Sequence, residues 1–292
     1  MAEIRPSRPE EIPLQKQLWK RCFGDSNAYI DHFYEKFCTA DQVLVVEQDG
    51  GIDSMAAVLP ATLELSDSRQ VPVGYVYALA TNPNAQGKGN ARHLLSYADK
   101  YIQEKGMKAM VLVPASPSLH RFFDALGMSE CFGIRKVELL KSTFTGNTEG
   151  TSMVPIGPEE YNAIRESFLM GTFHMTYTDH MISLQQFSSQ LSRGDLFRIQ
   201  VDDEVGCAAI EYVQSRRLLV KELIISPDKM SRAMEAIAAE KEASGYHVRT
   251  PAFWDGINGS YLQAFGMIKW YDHGLKNKWF SHQDAYLGLA FD

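Results

Sequence analysis

Two apolar stripes at helical spacing open the chain, Ile12, Leu14, Leu18, Trp19 and Cys22, then Tyr29, Ile30, Phe33, Tyr34 and Phe37. Each predicts a helix with one buried face. The pattern then changes to strand-like runs at 43–47 and 52–59, separated by Asp49-Gly50-Gly51. That turn chemistry predicts an antiparallel hairpin, so two helices are expected before the first strand. A longer strand covers 71–81. Beyond Pro83, Ala91, Leu94, Leu95, Ala98, Tyr101 and Ile102 form one face of a helix over 90–105, which Gly106 ends. A short buried strand at 108–114, a helix over 117–126 stopped by Gly127 and a strand over 131–140 complete this half. The order predicts an α/β fold with a mixed, mostly antiparallel sheet and one parallel step, flanked by helices.

The polar segment 141–152, KSTFTGNTEGTS, reads as a linker between domains at 1–142 and 151–292. The second half repeats the order of the first: strand, Pro, helix, Gly, strand, Pro, helix, Gly-Met. LATNPN and LVPASPSLHRFFDALGM in one half answer to LIISPD and VRTPAFWDGINGSYLQAFGM in the other. An internal duplication is therefore expected, with a helix before Gly266. The run 168–177 is dense in Met and aromatic residues, which suits core packing first and a pocket lining second. The last residues, 286–292, alternate like a strand.

A length of 292 residues suits two domains, each able to bury a core. The formal charge of -7 excludes nucleic acid or an anionic membrane as the main partner, because no basic field would gather either. It mildly favours a cationic acceptor. Cys22, Cys38, Cys131 and Cys207 form no CxxC pair and no metal-like spacing, so reduced thiols and no metal are expected. The charged, proline-containing start and the lack of a long apolar run predict a soluble, cytoplasmic protein, monomer or homodimer.

The candidate chemistry lies in Gln86-Gly87-Lys88-Gly89-Asn90-Ala91, between a predicted strand and the helix that follows it. Backbone N–H groups at a helix N-terminus have no partner inside the helix, and they suit an anion. Gly87 and Gly89 let a ligand approach the backbone, and Lys88 adds positive charge. A dinucleotide fingerprint would need glycine where Arg92 stands, and a P-loop would need Ser or Thr where Gly89 stands. Glycines that merely punctuate a turn are the bland alternative.

With Gln86, Gly89 and Ala91 matching the pattern Arg/Gln, two residues, Gly, one residue, Gly/Ala, residues 1–140 resemble the GNAT superfamily of N-acetyltransferases. The strand end 79–83 and the helix end 122–128 fit as well. The resemblance implies two tandem GNAT-like domains, each with a central parallel splay. It implies acetyl-CoA as cosubstrate, with its pyrophosphate on residues 86–91 and its pantetheine arm on Leu79, Ala80 and Thr81. The acceptor would be an amine of a small molecule or peptide, and the alternative is a non-catalytic acyl-CoA-binding module. At 227–232 the second half has Pro-Asp-Lys-Met-Ser-Arg, without glycine and with an acid, and is expected not to bind the cofactor.

Many family members carry an acidic Tyr at the position of Phe123, which borders the cofactor and cannot donate a proton. Substitutes in this chain are Tyr75 and Tyr77, on one face of the central strand, and His120 on the following helix; protonation by solvent is the further option. The terminal carboxylate is a distant candidate base.

Overall fold

The computed structural model describes residues 2–214, 216–278 and 285–291. The chain packs as two compact units. The first comprises Met1–Leu63, Val71–Ser129 and Met267–Trp279; the second comprises Glu64–Gln70, Glu130–Gly266 and Phe280–Asp292. Each therefore draws on both sides of the 141–152 segment.

The first unit contains β1 (Glu3–Pro6), α1 (Ile12–Phe23), α2 (Asn27–Lys36), β2 (Val43–Gln48), β3 (Gly51–Glu64), β4 (Gln70–Thr81), α3 (Asn90–Glu104), β5 (Ala109–Leu112) and α4 (Pro117–Asp124). A strand thus precedes the two helices, against expectation. β1 pairs antiparallel with β2 from Glu3↔Glu47 to Pro6↔Leu44, and its four residues are too few and too polar for alternation to reveal them. The 49–51 turn forms as predicted: Asp49 and Gly50 have φ of 52° and 78°, and β2 and β3 pair antiparallel. Leu94, Leu95, Ala98 and Ile102 of α3 and Phe123 of α4 bury against Val76, Met110 and Leu112 on one sheet face. On α1 and α2, Trp19, Phe33 and Tyr34 are buried in mutual ring contact.

The second unit contains β6 (Ser129–Leu140), β7 (Thr151–Pro155), α5 (Pro158–Leu169), β8 (Phe173–Thr176), α6 (Asp179–Leu191), β9 (Asp195–Val201), β10 (Glu204–Gln214), β11 (Arg217–Ile224), α7 (Met230–Glu240), β12 (Gly245–Pro251) and β14 (Ala285–Tyr286), with β13 (Tyr261–Trp270) starting in it. Its strands run β6-β12-β11-β10-β9-β7. β11 and β12 are parallel, as β4 and β5 are in the first unit.

The final strands are exchanged. β6 lines up with β12 in the second unit, from Leu140↔Gly245 to Ile134↔Pro251. Residues Met267 to Trp270 of β13 line up with Leu112 to Ala109 of β5 in the first unit. The chain delivers to each parallel pair an antiparallel neighbour from the other half of its sequence.

Two further expectations change. No helix lies between β12 and Gly266: residues 252–260 are turns and irregular backbone, and Gly256 and Gly259, at φ of 81° and 72°, break helical continuity before β13 begins. In the 141–152 segment the amides of Thr145 and Gly146 donate to Glu235, and the Phe144 ring meets Tyr246 at 5.0 Å. At the chain end only Ala285 and Tyr286 are strand, and Ala290 and Phe291 turn at φ of 55° and 59°. Asp292, with the carboxylate considered as a base, lies outside the described residues. The 168–177 run is largely core, since Leu169, Phe173, Met175 and Tyr177 are buried.

Candidate active site

β4 and β5 separate almost as soon as they meet. Their register is Gly74↔Met110 and Tyr75↔Val111, and β5 ends at Leu112 while β4 continues to Thr81. Three residues past the last pair, Ala78 takes a φ of 51°, a left-handed conformation that costs a non-glycine residue about 1–2 kcal/mol. Within a strand such a residue marks a bulge, which turns backbone groups out of the ladder. On its other edge this end of β4 is held: Ser54 and Thr81 share a hydroxyl hydrogen bond of 2.8 Å, and the Asn82 N–H donates to the Asp53 carbonyl at 2.8 Å. Past Tyr75 the two strands are no longer paired, and Leu79 to Thr81 continue β4 as strand backbone.

The glycine loop lies between the end of β4 and the start of α3. Gly87 and Gly89 have φ of 76° and 82°, and Gly89 is the residue before α3. A Cβ on Gly89 would meet only the His93 ring, at 3.5 Å, so backbone conformation rather than space requires glycine. The first helical hydrogen bond runs from the His93 N–H to the Gly89 carbonyl, which leaves the amides of Asn90, Ala91 and Arg92 without a partner in the helix. Gln86, Lys88 and Arg92 are exposed around them.

The side chains at 86 and 90 turn to the scaffold. Gln86 Nε2 donates to the Thr81 carbonyl at 3.4 Å, and Asn90 Nδ2 donates to Asp53 at 3.4 Å. Cys22 Sγ also donates to the Thr81 carbonyl, a contact that sequence spacing did not suggest. Burial pushes this thiol's pKa up. The loop therefore offers an anion backbone amides and the charge of Lys88 and Arg92.

Tyr75 and Tyr77 do share a face, with rings 6.3 Å apart and nearly parallel. Tyr75 is buried, and the Tyr77 hydroxyl is 2.8 Å from that of Tyr29. Burial, then Tyr29, pushes the Tyr77 pKa well above the ordinary phenol value. Phe123 is buried in the apolar cluster under α3 and α4, and His120 sits half-buried on α4. Among the described residues no cluster of His, Cys, Asp or Glu is arranged to hold a metal ion, and no helix is long and apolar enough to cross a membrane.

The corresponding place in the second unit is built differently. β11 and β12 stay paired through four positions, Arg217↔Gly245 to Val220↔Val248. Beyond them Thr250 Oγ1 donates to the Leu223 carbonyl at 2.9 Å and bolts the two strands together. Glu222, buried, accepts from Arg165 Nε and from the Tyr161 hydroxyl at 2.7 Å. Before α7, Glu204 accepts from the Ser226 amide, and Asp202 pairs with Lys229 and Arg232. The protein's own carboxylates occupy the basic groups at this helix start.

Residues 3–125, which contain the glycine turn, α3 and the parallel β4–β5 pair, match the model of the acetyltransferase (GNAT) domain. The chain carries a GNAT acetyltransferase domain. That match ends before the exchanged strand that completes the first unit. Solved structures extend the likeness in fold to nearly the whole chain. The GCN5-related N-acetyltransferase from Anabaena variabilis ATCC 29413 aligns with a TM-score of 0.71 at 12% identity, over 92% of this chain and 72% of that one. The GCN5-related N-acetyltransferase from Kribbella flavida gives 0.67 at 14% over 92% and 72%. Eis1 from Mycobacterium abscessus gives 0.67 at 12% over 92% and 74%. No curated protein matches the chain in sequence.

Proposed function

We propose that the first unit transfers the acetyl group of acetyl-CoA to a primary amine of a small molecule or peptide. The observation that carries this reading is the short β4–β5 ladder, two paired positions long, beside a helix start whose amides at Asn90 to Arg92 have no partner in the helix. A pyrophosphate on those amides gains charge-assisted hydrogen bonds of about 1.5–3 kcal/mol each. The pantetheine amides would then pair with Leu79, Ala80 and Thr81, much as a third strand would. That alignment sets the thioester carbonyl against the backbone turned out at Ala78, where an N–H stabilises the oxyanion formed by amine attack.

The thiolate leaves without a dedicated side-chain acid in this reading. Tyr77 holds its proton far more tightly than a thiol does, which makes it a poor donor to the departing sulfur. Tyr75 is enclosed, and Phe123 has no proton to give. Solvent protonation of the thiolate is the consistent alternative. The second unit is read as free of cofactor, on the support of the Thr250 bolt and the self-paired start of α7.

Thiol release from acetyl-CoA with a panel of amines tests the proposal. Amine-dependent release by the wild-type protein, lost in Gly89→Glu, is the expected result. Tight CoA binding with no amine ever acetylated would leave a binding module instead.

A further inference from the structure

A cavity of about 260 Å³ lies in the first unit beside α3, between Leu95, Ser96 and Asp99 of that helix and Met110, Leu126 and Lys269 opposite. Leu94, Leu95, Ala98 and Ile102 seat α3 on the sheet, and on the flank of the helix that faces this cavity the contact is made by a polar clamp. Lys269 Nζ donates to one carboxylate oxygen of Asp99 at 2.7 Å, and the Tyr271 hydroxyl donates to the other at 2.7 Å. The Lys269 and Asp99 side chains are about three-quarters buried, at 26% and 21% exposure.

The far side of the clamp is itself anchored. Lys269 is in register with Met110 on β5, and the Tyr271 N–H donates to the Lys108 carbonyl at 2.9 Å. Both clamp residues come from the exchanged end of the chain, 170 residues or more beyond Asp99. Asp99 stands nine positions along α3 from Asn90, about 13 Å at helical rise. A helix this short moves as one body. Any lateral shift at Asp99 is therefore carried to the amides that open α3.

We infer that Lys269 and Tyr271 are positioning residues for the glycine loop: by holding Asp99 across the cavity they set the tilt of α3 and so the direction of its first amides. This rests on the loop being the pyrophosphate site. It assigns to the second half of the sequence a part in cofactor binding that the 3–125 match does not contain.

The test compares wild type with Lys269→Met/Tyr271→Phe, with the milder Tyr271→Phe, and with Lys269→Arg as the conservative rescue. Hydrogen exchange of the His93 and Leu94 amides is followed in the ligand-free protein, CoA affinity by calorimetry, and melting temperature alongside. In the double variant, faster exchange at His93 and Leu94 and a CoA affinity lower by about tenfold are expected. Tyr271→Phe should shift both in the same direction by less, and Lys269→Arg should stay near wild type. A lower melting temperature with unchanged exchange and unchanged CoA affinity would reduce the clamp to a stability element and overturn the inference. Faster exchange in a protein whose wild type binds no CoA would leave the clamp standing and remove the cofactor reading.

Discussion

Replacing Gly89 with alanine separates the conformation of the loop from its contacts. At φ of 82° and ψ of 4°, the added Cβ meets nothing closer than His93 at 3.5 Å, so no clash enters. What remains is the left-handed backbone itself, worth about 1–2 kcal/mol for an L-residue. The variant relieves that strain by relaxing toward negative φ, which swings the amides beside it away from the anion. Loss of one amide–phosphate bond, about 1.5–3 kcal/mol, lowers CoA affinity about ten- to hundredfold. Gly106→Ala is the matched control, since Gly106 has φ of 77°, open space around its Cβ position and a place at the opposite end of the same helix. Calorimetric CoA titration and thermal melts of both variants decide the matter. Equal destabilisation with CoA affinity reduced only in Gly89→Ala is expected. An affinity equal to wild type in folded Gly89→Ala would refute the reasoning that these amides hold the phosphates.

Three other outcomes are expected. Tyr77→Phe should retain kcat to within about tenfold, whereas removing a dedicated general acid costs about 10²–10⁴; a hundredfold fall at unchanged KM would restore Tyr77 as the acid. Thr250→Val leaves the buried Leu223 carbonyl without the hydroxyl and should destabilise by about 1 kcal/mol in urea melts, with no CoA binding appearing in the second unit. Glu166 is pushed up by burial, but hydrogen bonding from His174 and the Arg165 charge outweigh this and hold it below the usual carboxylate range. A depressed carboxylate stabilises above its unfolded pKa, so Glu166→Gln should cost about 1–3 kcal/mol at neutral pH. The gap between variant and wild type should close as pH falls through the acidic range, and a gap independent of pH would count against the assignment.

The sequence made local features legible and left pairing between distant segments hidden. The Asp49-Gly50 turn, the α3 stripe and the two loop glycines announce themselves because each depends on residues a few positions apart. β1 escaped because four residues containing Arg5 and Pro6 carry no alternation, and the helix expected before Gly266 was inferred from similarity that Gly256 and Gly259 override. The aromatic strand pair Tyr75 and Tyr77 was readable as a shared face, but the hydrogen bond between the Tyr77 and Tyr29 hydroxyls was not. The exchange of β6 and β13 was out of reach for a stronger reason. Both strands look equally suited to a neighbour in their own half, since apolar alternation specifies that a strand is covered and says nothing of which edge covers it. A duplicated chain has two copies of each edge, so pattern alone leaves the choice degenerate. In the first unit the chosen neighbour brings specific chemistry, Lys269 and Tyr271 meeting Asp99, and those three residues form no recognisable motif because their relation exists only in space.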